Sequence, residues 1–452
     1  MERKLDISFD PIGVARRASA MPGVSFLYSG LTAYGLGRYS ILAANPLKTF
    51  SSRGGVVRIC EGGAEREFKA NVFDAFESEL NAMGKAEAGS LPFQGGPIGY
   101  FSYDAGRCLE KTALGEANGE VANARFAFYD GGLVFDHVDR TSWLGSTSEK
   151  LSGGLEELLA VALSEDEPSM EAFELRSSLQ SNFQREEFVE SVQSVRESIR
   201  KGDVYQVNLS QRFEAKCEGA AFDLFSRLAK SSPAPYSAYL DFGDEQIVSS
   251  SPERFLQVKG RHATTRPIKG TRSAGANDEE AAANAKELED SEKDRSELLM
   301  IVDLERNDLG RVCEPGSIRV DNLFRLERYA TVIHQTADVS GDLETGRGPI
   351  DCVKAMFPGG SITGAPKIRS MQIIDELERG PRGVYTGSIG YFDANGGADL
   401  NIAIRTLRVA DGSLSFQVGG GIVWDSDPES EYEETLLKAK AMIRALKGEG
   451  NE

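Results

Sequence analysis

At 452 residues the chain is long enough to bury a large core, as one two-lobed unit or as about two to three ordinary domains. Fifty-one Lys and Arg stand against seventy Asp and Glu, a net charge of -19 without a dense basic run, which argues against a nucleic-acid groove or an anionic membrane surface as partner. The five cysteines (Cys60, Cys108, Cys217, Cys313, Cys352) are scattered and lack a C-x-x-C, so neither a disulfide framework nor a zinc site is expected and a reducing, cytoplasmic setting fits. Met1 to Ala20 mixes charges of both signs, and no stretch approaches a membrane span, so neither a signal nor an anchor is expected. An acidic protein that takes an anionic ligand must concentrate positive charge in its cleft, from side chains or a metal.

The N-terminal part reads as short strand-like runs separated by glycine turns, and residues 145–181 then become small, polar and acidic, with one helical stretch at Leu155 to Leu163. On this basis the chain divides into an N-terminal region, 1–165, and a second region, 182–447. Asn182 is placed to cap a helix on which Phe188, Val192, Val195 and Ile199 recur at helical spacing, and Gly202 stands where a C-terminal glycine belongs. Val204 to Phe213 predicts a strand with Tyr205, Val207 and Leu209 on one face and Gln206, Asn208 and Ser210 on the other. Ile247 to Ser251, Tyr385 to Phe392, Leu400 to Leu407 and Leu414 to Val423 predict further strands, with Arg405 sharing a face with Asn401 and Ala403. Helices are predicted over Asn284 to Leu304, Pro366 to Leu377 and Pro428 to Leu446, and the order of elements predicts an α+β fold.

Two acidic pairs stand out. Asp294 and Glu297 are spaced i,i+3 on one predicted helix, and Glu431 and Glu434 on another, so each pair faces one way. Asp427 as cap and Pro428 at the first helical position put Glu431 and Glu434 in the first two turns. Four carboxylates from two helices suit a hard cation that keeps some water, as Mg2+ does; a solvated face in an acidic chain is the bland alternative. Lys269 sits in Arg266-Pro267-Ile268-Lys269-Gly270-Thr271, where Pro fixes one flank and Gly lets a ligand approach the backbone. A nucleophilic lysine must be neutral, and lowering its pKa from about 10.4 by two to three requires roughly 3–4 kcal/mol from desolvation or a neighbouring cation. Otherwise it is a surface lysine in a turn.

Gly359 to Lys367 lacks the Gly-Lys-Ser/Thr ending of a nucleotide loop, leaving a glycine-rich turn that feeds a helix N-terminus and offers N–H groups to a carboxylate. Gly419-Gly420-Gly421 marks a bend or a close backbone contact. The three histidines (His137, His262, His334) are too few for a His-rich metal site, and only His334 lies in a structured-looking context.

Taken in order, Gly202 to Leu209, Ser251-Pro252-Glu253-Arg254-Phe255, Pro267 to Thr271, Val302 to Asp308, Gly364-Ala365-Pro366-Lys367, Ala403-Ile404-Arg405-Thr406 and Glu431 to Thr435 resemble the chorismate-utilising enzymes. Gly37 to Leu42 and Phe93 to Phe101 extend the resemblance into the N-terminal half. It implies an anthranilate synthase component I-like α+β sandwich of two stacked sheets with helices outside, and a cleft that binds Mg2+ and chorismate. By match to the family's motifs, Glu297 and Glu434 would be direct Mg2+ ligands, with Asp294 and Glu431 acting through water. Tyr385, Arg405 and the backbone of Gly419, Gly420 and Gly421 would hold the substrate carboxylates. Gly270 and Thr271 would line the ring site, with His334 and Ser361 beside them.

Two positions choose the branch. Isochorismate- and salicylate-forming relatives carry Lys where this chain has Gln206, and anthranilate-forming relatives carry Ala where it has Lys269. The resemblance therefore implies the branch that makes 4-amino-4-deoxychorismate, with Lys269 as covalent nucleophile, Glu253 as general acid, and ammonia delivered from glutamine by a separate glutaminase subunit. The alternatives are anthranilate formation and a silent chorismate-binding subunit. Phe26-Leu27-Tyr28-Ser29 stands where the anthranilate-forming relatives read Leu-Leu-Glu-Ser at their tryptophan site, and Tyr28 lacks the carboxylate that would hold an amine.

Overall fold

The period-two alternation of apolar residues sends the two faces of each central strand to different cores. Along Tyr39–Ala43, Leu42 packs among helices while Ile41 and Ala43 pack toward the opposite sheet. Along Gly131–Asp136, Leu133 and Phe135 go to the helices and Val134 to the facing sheet. Ala122–Tyr129 does the same from the other side, with Phe126 and Phe128 under helices and Ala127 and Tyr129 turned inward. Two antiparallel sheets therefore stack over a shared core, and helices cover the outer faces, which is the α+β sandwich expected from the sequence.

The computed structural model describes residues 1–84, 89–110, 114, 121–329 and 332–448. In the first sheet the chain order is crossed, so that Ser25–Tyr28 lies beside Tyr236–Asp241, followed by Glu245–Ser251, Thr406–Ala410, Ser413–Ile422 and Gln206–Glu218. The second sheet runs from Ile268–Ser273 through Val332–Asp342, His262–Arg266, Arg254–Lys259, Ala398–Asn401 and Ser388–Phe392 to Gly96–Phe101 and beyond. Phe76 is fully buried among the rings of Phe50, Phe101, Phe126 and Phe392 under the second sheet, and each such side chain contributes about 1.5–3 kcal/mol by leaving water. Among the described residues no helix is long and apolar enough to cross a membrane.

Several predicted elements change in ways that matter for the site. The strand predicted over Leu400 to Leu407 is two strands: Ala398–Asn401 ends in the second sheet and Thr406–Ala410 begins in the first. Residues 402–405 cross between the sheets, and Arg405 takes φ 50 in that crossing. Tyr385 falls in a turn ahead of the strand Ser388–Phe392. The helix predicted over Asn284 to Leu304 is two helices, Asp278–Asp290 and Glu292–Leu309, because Ser291 leaves helical geometry to cap the second through the Asp294 N–H. Gln184, not Asn182, caps the helix Arg185–Arg200; the Asn182 side chain instead accepts from the Arg212 N–H. Pro428–Lys447 starts as predicted, with Asp427 accepting from the Ser430 N–H.

Candidate active site

Lys269 lies on Ile268–Ser273, an edge strand whose register with Val332–Asp342 pairs Lys269 with Gln335 and Thr271 with His334. Gly270 is the extra residue between those pairs, at φ 74, and a Cβ there would meet Leu288 Cδ1 at 2.7 Å and Asp294 Cγ at 3.0 Å. Glycine thus permits both the bulge and the close approach of the strand to the helices beneath it. The Lys269 Nζ donates to the Ser361 carbonyl at 2.9 Å. Although the residue is only half-buried, protein encloses its amine, and this burial holds the pKa below the usual lysine range. Lys438 pushes the same way, while Glu297, Glu253 and Glu434 pull against it.

Glu253 is 5% exposed and lies just before the strand Arg254–Lys259. Burial raises its carboxyl above the ordinary range, against the Ser361 hydroxyl, the Lys269 charge and the Ile268 N–H, which reaches Oε1 at 3.4 Å. A depressed amine and a raised acid therefore share Ser361, an arrangement suited to a neutral nucleophile beside a protonated acid.

The two acidic pairs come from Glu292–Leu309 and Pro428–Lys447. Burial raises Glu297, aided by the charges of Asp294 and Glu434, and Glu431 is raised by burial and by Glu434. Three of the four carboxylates already have a protein partner: Glu434 pairs with Lys438 at 2.7 Å, Asp294 with Arg272 at 2.9 Å, and Glu431 accepts from the Ser426 hydroxyl at 2.6 Å. Among the described residues no three His, Cys, Asp or Glu side chains converge as a ready ligand cluster. The donor set is nevertheless all carboxylate oxygen, and the mutual repulsion of Glu297 and Glu434 is what a hard divalent cation relieves, so the residues fit Mg2+.

Arg405 supplies fixed positive charge. Its nearest side-chain partner is the Ser232 hydroxyl at 3.5 Å, among the described residues no carboxylate pairs with it, and burial lowers its pKa. Positive φ in a non-glycine residue costs on the order of 1–3 kcal/mol, strain the fold sustains to hold an unpaired cation in the cleft. Burial and the Arg405 charge push His334 down to about 3, so it is neutral; its Nδ1 hydrogen-bonds the Thr271 hydroxyl at 2.9 Å. On the opposite wall Gln206 is 1% exposed, with both amide atoms unpartnered among the described residues. A Cβ on Gly421 would meet its Nε2 at 2.0 Å, and one on Gly420 would meet Glu431 Oε2 at 3.2 Å, while Gly419 abuts the Leu209 carbonyl. The triple glycine therefore gives room to Gln206 and the acidic pair. Gly364 and Ala365 pair as a short strand with Gln206 and Val207, just ahead of the helix Lys367–Leu377, which has no side-chain cap at its start.

The sequence reading missed Arg382. Its side chain is 1% exposed, pairs with Glu378 at 2.7 Å, and donates to the Ile362 carbonyl at 3.0 Å, the Asn208 carbonyl at 2.6 Å and the Thr386 hydroxyl at 3.2 Å. Its guanidinium also lies over the rings of Tyr103 and Tyr385. One buried cation thus ties Tyr385 and the residue after Ser361 to the strand that carries Gln206. Burial pushes Tyr385 up to about 12, against the Arg382 charge. A Gly-Pro-Arg-Gly loop carries no motif that would have singled out Arg382.

A separate cavity of about 590 Å3 lies between the N-terminal strands and Arg254–Lys259, and Leu27, Tyr28 and Ser29 line it. Tyr28 is among its lining residues, but its ring packs on the helix side of the strand, against Phe26, Phe225 and His137.

Comparison with known proteins converges on the same architecture. The aminodeoxychorismate synthase component 1 of Bacillus subtilis (strain 168) is 40% identical over 91% of this chain and 89% of its own length. The anthranilate synthase component 1 of Acetivibrio thermocellus is 36% identical over 91% and 88%. The crystal structure of anthranilate synthase component I from Streptococcus pneumoniae TIGR4 superposes with a TM-score of 0.78 at 35% identity, covering 92% of this chain and 94% of that one. The chorismate binding enzyme family matches residues 31–444, which takes in most of both sheets and every residue of the cleft described above, and this chain belongs to that family.

Proposed function

We propose that the chain is an aminodeoxychorismate synthase component 1, which converts chorismate and ammonia to 4-amino-4-deoxychorismate. Relatives of that name align over most of the chain, and the observation that carries the reading is Lys269: an enclosed amine held below its usual pKa, beside a raised Glu253. Neutral Lys269 attacks ring carbon 2 as Glu253 protonates the departing 4-hydroxyl, which leaves as water. Ammonia then adds at carbon 4, its surplus proton returns to Glu253, and the carbon–lysine bond breaks to free the amine. Arg405, Tyr385 and the Gly419 to Gly421 backbone hold the substrate carboxylates, with Gly270, Thr271, His334, Ser361 and Gln206 around the ring. Glu297 and Glu434, with Asp294 and Glu431 through water, would hold Mg2+, which supplies charge neutralisation for the ring carboxylate when bound. The name component 1 supports a second subunit, and a glutaminase that delivers ammonia fits that role. A cytoplasmic location and a place in 4-aminobenzoate and folate synthesis follow from this reading.

The test is incubation of the purified chain with chorismate, Mg2+ and ammonium, with product identified by mass and by fluorescence. A non-fluorescent product that keeps the pyruvyl group, lost in Lys269→Ala by at least about 100-fold, is expected for a covalent nucleophile. Fluorescent anthranilate with free pyruvate, or full activity in Lys269→Ala, overturns it.

A further inference from the structure

Behind Glu253 stands a second carboxyl that the mechanism does not use. Glu305 lies on the inward face of the helix Glu292–Leu309, two turns beyond Glu297, and is 5% exposed. The Thr265 side chain lies against this carboxyl, whose Oε2 is buried without a partner among the described residues. Thr265 stands one residue before the end of the strand His262–Arg266, whose last register pair with Arg254–Lys259 is Arg254 and Arg266, so Glu253 sits at the same end of that ladder. The charged groups around Glu305 are Glu253, Asp308 one turn on, and Lys367, which pairs with Asp308 at 2.7 Å rather than with Glu305. Burial keeps Glu305 well above the carboxylate range, and Glu253 is the neighbour whose charge acts on it most strongly. Lys269 is the cation that faces Glu253 itself.

A buried carboxyl with no cation of its own is protonated, and a protonated carboxyl carries an O–H that needs an acceptor. We propose that Glu305 is a positioning residue for the acid step: a neutral carboxyl that donates its O–H to Glu253 once Glu253 has given its proton to the departing hydroxyl. No proton leaves Glu305. The O–H bond of Glu253 breaks, the departing oxygen gains that proton, and the new Glu253 carboxylate is stabilised by the Glu305 donor until the incoming ammonia returns a proton to it. This inference rests on the reading of Glu253 as the acid.

The full-length chain, Glu305→Leu and Glu305→Gln are compared by the pH dependence of chorismate turnover at saturating ammonium, and by infrared titration of their protonated carboxyl bands. Glu305→Leu removes the donor, so kcat falls by about 10-fold to 100-fold, the usual weight of a hydrogen bond to a charged group, with KM little changed. The Glu253 band in that variant persists to higher pH than in wild type. Glu305→Gln keeps an N–H donor: kcat returns to within about threefold of wild type, the Glu253 band titrates as in wild type, and one protonated carboxyl band is gone. The proposal is overturned if both variants keep the wild-type kcat and Glu253 titration, if Glu305→Gln is as slow as Glu305→Leu, or if Glu305→Gln loses no protonated band at neutral pH. Should Glu305→Leu not fold, the Gln variant decides through its kcat and its missing band. Failure of the wild-type chain to turn over chorismate would sink the functional reading, and the infrared titration would still decide whether Glu305 is the neutral donor.

Discussion

Arg382→Met tests whether one buried cation organises the substrate side of the cleft. The substitution nearly preserves side-chain length but removes the partner of Glu378, which is 5% exposed on its side chain and would keep only the Ser210 N–H and hydroxyl, both at 2.8 Å. Breaking a buried pair by removing one member costs about 3–5 kcal/mol, because the remaining charge is left uncompensated. Three acceptors, on Ile362, Asn208 and Thr386, lose a donor at the same time, so the upper end of that range is expected. Against a typical total stability of about 5–15 kcal/mol this is a large fraction. Urea denaturation followed by the fluorescence of Trp143 and Trp424 measures it. Because Ile362 follows Ser361 and Tyr385 packs on the same guanidinium, KM for chorismate should rise together with the loss of stability. The double variant Arg382→Met, Glu378→Leu should recover at least half of the lost stability, since the stranded charge is gone. A single variant that loses less than about 1 kcal/mol, or a double variant no more stable than the single, would refute the view of Arg382 as a charge-paired hub.

Arg405→Met should raise the chorismate KM by about 10-fold to 100-fold, the loss of one charge-assisted contact, while leaving urea stability unchanged or higher, because among the described residues no carboxylate pairs with this cation. Steady-state kinetics and denaturation on one preparation check both halves. Asp104 is pushed up from 3.8 to about 6, chiefly by burial, with the Gly383 N–H and Arg107 opposing. The native state therefore holds a proton that the unfolded chain has released, and stability is lost as pH rises through the interval from about 4 to 6. Asp104→Asn, which can still accept from Gly383, should be more stable than wild type by about 3 kcal/mol above that interval and equal to it below, measured as the difference between urea midpoints at acid and neutral pH.

What the sequence disclosed and what it withheld follow one physical division. Short-range signals held: Asp427 and Pro428 fix the start of the helix bearing Glu431 and Glu434, and alternation in Gln206–Glu218 correctly turns Val207 and Leu209 away from Gln206. The shared apolar periodicity of residues 400–407 hid a change of sheet, because alternation does not reveal which neighbour a strand will find; the turn that places Arg405 is set by tertiary contacts. Ser291 likewise ended one helix and capped the next inside a run that reads as continuous. Arg382 and Glu305 were invisible for another reason. Their roles come from burial beside groups far away in the chain, and a charged residue in a loop or on an acidic helix looks solvated until packing encloses it.

The crossing at residues 402–405 carries a mechanical implication. Arg405 belongs to neither sheet, standing where the backbone steps from one to the other. An anion gripped there, and touching the Gly419 to Gly421 backbone on one side and the Thr271 strand on the other, would rivet the two layers at the open end of the sandwich. Ligand at a hundredfold excess over its Kd adds about 2.7 kcal/mol to the folded state, and in this geometry the gain falls on the seam between the layers, so slower hydrogen exchange along Ile268–Ser273 and Ser413–Ile422 would mark the rivet closing.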